Sequence, residues 1–142
     1  MESRTRILAL ALVAILVGGG ALAYPSVSMW WRVQSLPPAV DRDVTYAADV
    51  VPILEEHCYE CHGDDRRKGG LNLDTRDMLM RGGKTGAVVE DGDSASSNLV
   101  HRIGGITPDA PMPPSNKPQL TADQVGVLRA WIDQGLNWRQ DQ

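Results

Sequence analysis

The chain has no phenylalanine, and aromatic residues make up only 5% of its 142 positions. A domain built this way has few large side chains for a core, so it has room for apolar bulk that the chain does not itself carry. Cysteine is as scarce: Cys58 and Cys61 are the only two. A zinc site made from two spaced cysteine pairs is excluded, and so is a framework of several disulfides. Basic excess is missing too. From Asp41 onward, 17 Asp and Glu stand against 11 Lys and Arg, a balance of −6 with neutral histidines. That argues against a nucleic-acid partner and for a basic or neutral docking partner.

What the chain does have is Cys58-Tyr59-Glu60-Cys61-His62. The spacing C-x-x-C-H is the attachment signature of c-type haem. Two thiols three positions apart each add across one vinyl group of the same porphyrin, and the next residue places an imidazole on the iron. A thioredoxin-like redox pair expects a helix opening at its first cysteine. Here the residues before Cys58 have helical periodicity and the motif closes that helix, so haem attachment is the reading adopted. A haem would also fill the core that the missing aromatics leave short.

Arg4 and Arg6 precede an apolar run from Ile7 to Ala23 that holds only Leu, Ala, Val, Ile and Gly. Such a run reaches about 25 Å as a helix at 1.5 Å per residue. The flanking arginines put the N-terminus in the cytoplasm and whatever follows in the periplasm. Tyr24, Trp30 and Trp31 suit a membrane interface, so residues 1–33 are expected to form a retained signal anchor on the cytoplasmic membrane. Ala21-Leu22-Ala23 also fits a signal peptidase site, and cleavage there would give a soluble periplasmic protein starting at Tyr24. Residues 34–44, with Pro37-Pro38, are expected to form a stiff linker. Residues 45–142 are expected to form the single globular domain, all-α, around one covalent haem.

Within it, Tyr46 to Cys58 is a predicted helix, with Ala47, Val50, Val51, Leu54 and Cys58 forming an apolar stripe. Asp43 or Thr45 is its expected cap, and Pro52 belongs in its first turn or at a kink. Gly63 to Asp74 reads as loop, and its basic run Arg66-Arg67-Lys68 as a solvated turn. Asp74 or Thr75 caps a short helix through Met80, stopped by Gly82-Gly83. Asp91-Gly92-Asp93 lacks the further acids of a calcium loop and reads as a turn. A short helix runs from Ser94 or Ser96 to Ile103, with Leu99 and Ile103 facing in. Residues 107–118, rich in proline, form an extended loop. Thr121 and Gln124 then make a capping-box pattern, and Val125, Leu128, Trp131 and Ile132 give the last helix its apolar face. Gly135 ends it, and Trp138 packs back.

The candidates for a second axial ligand are Met112, Met78, Met80, His57 and His101. Met112 lies between Pro111 and Pro113-Pro114, where restricted backbone freedom holds a thioether at low entropic cost. Met78 and Met80 have the spacing of core residues on a helix. His57 is expected to project away from the attachment face, and His101 is the reserve ligand.

Asp49-Val50-Val51-Pro52-Ile53-Leu54, Cys58 to Gly63, Lys68-Gly69-Gly70-Leu71-Asn72-Leu73, Ser97-Asn98-Leu99, Met112-Pro113-Pro114 and Leu128 to Gly135 follow one another in an order that resembles planctomycete-type cytochrome c domains, relatives of class I cytochromes c. The resemblance spans about Tyr46 to Trp138. It implies a mostly helical monohaem domain with Cys58 and Cys61 as attachment sites, His62 proximal and Met112 distal. One departure from mitochondrial-type cytochromes is Leu54, which stands where those carry an aromatic four residues before the first cysteine; Tyr46 or Trp131 is expected to supply that bulk.

The function this implies is electron transfer rather than catalysis, with redox proteins in or at the membrane, or a larger respiratory or photosynthetic complex, as partners. The alternative is a haem peroxidase or a gas or redox sensor in which Met112 is displaced. That alternative needs a polar distal group, and no Arg or His neighbours Met112 in the sequence.

Overall fold

The computed structural model describes residues 29–107 and 111–138. The run Ile7–Ala23, and with it most of the expected anchor, lies outside them. The chain divides into two compact units, Met1–Ser35 and Leu36–Gln142. In the first, residues 29–34 are helical. Trp30 and Trp31 there are exposed and meet edge to face at 4.7 Å. No helix among the described residues is long and apolar enough to cross a membrane.

The second unit is helical, and its described residues contain no strand, only two isolated bridges. It opens with a π-helical turn, Tyr46–Val50, that leads into α1, Val51–His57. The Val51 N–H reaches back to Tyr46 O, and Pro52, at the start of α1, has no N–H to give. The expected cap works in reverse: Asp49 Oδ2 accepts from Thr45 N–H at 2.8 Å and from Thr45 Oγ1 at 3.0 Å. The buried stripe is Tyr46, Val50, Ile53 and Leu54, whereas Ala47 is exposed. The wider π turn shifts the register by which α-helical spacing places Ala47 inside.

Cys58 breaks the helix at φ −123°, and α2, Tyr59–His62, resumes beyond it. The motif therefore begins at a kink and continues as its own turn, rather than closing a single helix. Then come a 3-10 turn, Lys68–Gly70, and α3, Arg76–Arg81, capped by the Thr75 side chain accepting from Met78 N–H. The expected helix from Ser94 or Ser96 is shorter: α4 is Asn98–Ile103. Ser94 cannot start it because its N–H and hydroxyl both donate to Asp133, at 2.7 and 3.0 Å. Finally α5, Ala122–Asp133, carries the expected capping box of Thr121 and Gln124.

The core lies where the π turn and α4 pack on α5, around Val50, Val100, Leu128, Trp131 and Ile132. Tyr46 stacks on Trp138 at 4.2 Å and tilts against Trp131 at 5.8 Å. These three rings occupy the ground that an aromatic at Leu54 would otherwise share. Residues 36–44 also lie on α5. Val40 N–H donates to Gly126 O, the Arg129 guanidinium donates to Pro37 O, and the Gln134 side chain bonds both Val44 N–H and Arg42 O. A Cβ at residue 126 would stand 2.6 Å from Pro38 O, so this close approach requires glycine.

Candidate functional site

The attachment side is built from short-range hydrogen bonds. Cys58 N–H donates to Leu54 O at 2.9 Å, and Cys61 and His62 N–H both donate to Cys58 O. One helical turn thus presents Cys58 and Cys61, three residues apart, on neighbouring positions of one face. Leu73 N–H donates to His62 O at 2.8 Å and ties the end of this turn to the following loop.

Both thiols are free. Burial pushes the Cys58 thiol up to about 12, and the neighbouring Cys61 adds to the shift. A thiol held this far up is a poor nucleophile, which disfavours a thioredoxin-like redox pair. Burial lowers the pKa of His62, with the Lys68 charge adding to the effect and the backbone of Leu71 and Lys68 opposing it. The imidazole is therefore held in its neutral, ligating form. Its Nδ1 is buried without a hydrogen-bond partner.

Three cavities, of about 380, 160 and 20 Å³, adjoin this turn, and Cys58 and Ile103 line all three. Cys58, Cys61, His62 and Met112 all line the 160 Å³ cavity. Cys58, His62 and Met112 recur in the largest, whose walls include Leu71, Leu73, Val88 and Leu99. The smallest is apolar, closed by Leu54, Leu79, Leu128, Trp131 and Trp138. A largely apolar space beginning at the two thiols, with an imidazole and a thioether on its walls, fits a haem in size class and donor chemistry.

Met112 is brought there over long range. Its N–H donates to Arg102 O in α4 at 3.1 Å. Pro113, which follows it, is buried. Gln119 Nε2 lies 2.8 to 3.2 Å from the carbonyls of Pro113, Pro114 and Lys117, so one side-chain amide gathers the turn after Met112. Lys117 Nζ reaches Glu60 Oε2 at 2.7 Å, joining the loop to an interior residue of the C-x-x-C-H motif. Each partner shifts the other: Lys117 lowers the pKa of Glu60, and Glu60 raises that of Lys117.

The other candidates separate. His101 lines none of these cavities, and its Nε2 sits 2.6 Å from Ala95 O. Met78 and Met80 line none of them either. His57 is the correction. Expected to point elsewhere, its ring is 3% exposed and lines the 160 Å³ cavity, at the end of α1 where the helix breaks at Cys58. Neither ring nitrogen makes a hydrogen bond, although Nε2 lies 3.4 Å from Glu56 Oε2. Arg102, ten residues from Met112, also lines the largest cavity. Sequence adjacency signalled neither group.

A family model described as planctomycete cytochrome C matches residues 58–116. No curated protein and no solved structure matches the chain. The matched stretch is shorter than the span over which the motifs were read, leaving out α1 and α5. It opens at Cys58, the first cysteine of the motif, and closes just past Met112; over this stretch the chain is similar to planctomycete-type cytochrome c domains.

Proposed function

We propose that this protein transfers electrons through one covalent haem c, attached at Cys58 and Cys61, with His62 and Met112 as axial ligands. The observation that carries the reading is the convergence of these four side chains on one cavity. When bound, haem c supplies a one-electron iron couple. The chain's residues supply the setting. Cys58 and Cys61 offer two free thiols, one turn apart, for the two thioether bonds. His62 offers a neutral imidazole whose backbone is tied to Leu73. Met112 offers a thioether on a loop anchored at both ends, which favours the ferrous state over bis-histidine ligation. With both axial positions taken by the protein, no iron position is open to a substrate, so the role is carrier rather than enzyme.

The same reading puts the domain at the periplasmic face of the cytoplasmic membrane, tethered through Ile7 to about Val33. The exposed pair Trp30 and Trp31 suits a membrane interface. A tether confines the carrier to nearby partners and raises their effective concentration. Those partners are redox proteins in or at the membrane, either met transiently or held as subunits of one complex.

The test is acid-acetone extraction of the full-length protein produced with a haem-ligation system. The haem is expected to stay with the polypeptide, and the ferric protein to show the weak long-wavelength band of Met–iron coordination. Haem passing into the organic phase, or zinc on metal analysis, would sink the reading.

A further inference from the structure

We propose that Lys84 and Arg102 form the carboxylate-binding end of this site, where the propionates of the haem are held. The inference rests on the haem reading above and extends it to residues that neither the motif nor the family match assigns.

Charge on the cavity walls is segregated. The 160 Å³ cavity, at the attachment end, carries Glu56 and Glu60 beside Lys68 and Lys117. The 380 Å³ cavity carries Lys68, Lys84 and Arg102, with no carboxylate among the described residues that line it. This stands out in a domain whose overall balance is acidic. Pairing tells the same story. Arg42, Arg66, Arg67, Arg76 and Lys117 each lie within ion-pair distance of a carboxylate, whereas Lys84 has no such partner among the described residues. A haem held at Cys58 and Cys61 brings two carboxylates of its own, and they need a cationic neighbourhood.

The local fold holds both groups on that wall. Gly82 has φ +74°, and a Cβ there would meet Gly86 O at 2.1 Å, so the turn carrying Lys84 closes tightly. Lys84 N–H donates to Gly69 O at 2.8 Å, which docks this turn on the Lys68–Gly70 segment. Arg102 Nε donates to Asn98 Oδ1 at 2.7 Å, orienting the guanidinium from within α4. Lys68 lies between the two ends: it lines both cavities, and its charge acts on His62 and Glu60. Lys84 and Arg102 line only the larger space.

Resonance Raman spectra and redox titrations of the haem-loaded protein test this. Lys84→Gln and Arg102→Gln are each expected to shift the propionate deformation mode and lower the reduction potential, because a lost positive charge favours ferric iron. Lys84→Glu changes the charge by two and should lower the potential about twice as far as Lys84→Gln. Arg102→Lys, which keeps the charge, should recover most of the wild-type potential, a rescue that a purely structural role does not predict. Lys68→Gln should leave the propionate mode in place. Propionate modes unchanged in both the Lys84 and Arg102 variants, with haem and the Met–iron band intact, would overturn the proposal. A wild-type protein without covalent haem would instead overturn the function reading, and this one with it, by a separate readout.

Discussion

The two sides of the site are assembled by different means. On the attachment side, Cys58, Cys61 and His62 share one helical turn and are positioned by hydrogen bonds spanning three or four residues. On the far side, Met112 depends on Arg102 O, on the Gln119 amide and on a Lys117–Glu60 pair that spans 57 residues. A site of local origin survives small changes elsewhere in the fold. A site closed by a loop is sensitive to every contact that orders the loop, since few of them are buried. The attachment half is thus expected to persist while the Met112 half opens.

The largest test of this contrast removes the local side. Replacing Cys58 and Cys61 with alanine should abolish covalent haem altogether, read as loss of haem staining after denaturing electrophoresis. Leaving Met112 in place should rescue nothing.

Next comes the scaffold on which both sides rest. Trp131 is 2% exposed and joins α5 to Tyr46 and Trp138. Its indole N–H also donates to Asn137 O at 2.9 Å. Trp131→Ala should cost about 3–5 kcal/mol in urea unfolding, the usual range for a buried large aromatic. A loss below about 1 kcal/mol would mean that α5 does not organise the core.

Met112→Ala should leave covalent haem and overall stability nearly intact. It should abolish the Met–iron band and lower the potential. A wild-type protein that lacks the band and gains it only in His57→Ala would make the buried imidazole the distal ligand.

Gln119→Ala and Lys117→Met act more gently. Global unfolding should scarcely move, because the Lys117–Glu60 pair is exposed and screened. The Met–iron band should nonetheless disappear at lower urea than in wild type, and high salt should mimic Lys117→Met. Loss of the band only together with the global transition would erase the proposed difference between the two sides.

The smallest effect belongs to the entry of the attachment side. The Arg42 guanidinium, with help from Thr45, holds the Asp49 carboxyl down at about 2. A folded-state value below the unfolded value of about 4 means that its contribution is fully present above that pH. The contribution is lost as pH falls from about 4 to about 2. Asp49→Asn should flatten acid unfolding in that window while leaving stability near neutral pH slightly lower. An unchanged acid transition would show that the pair contributes nothing there.

Much of this was legible in the residue order. C-x-x-C-H needs only helical spacing, and the Thr121 and Gln124 capping box needs only four consecutive positions, so both are local facts. Thr75 as a cap and Gly82 as a stop belong to the same class. The misplacements share one cause. Ala47 falls outside because the chain adopts a π turn before Pro52, and α4 starts at Asn98 because Asp133 in α5 engages Ser94. His57 faces the cavity at the end of α1, where the helix breaks at Cys58. In each case a distant contact or a non-α turn overrides the 3.6-residue period.

The sequence by itself carried the C-x-x-C-H spacing, the helical class and the acidic balance, and it singled out Met112 between its prolines, since spacing, periodicity and composition suffice for these. Only the tertiary structure decided that Met112 shares a cavity with His62, that Glu60 is tied to Lys117, and that Lys84 and Arg102 line one cavity. Such meetings depend on chain reversals through glycine turns and on packing against α5, and neither leaves a periodic signal in the order of residues.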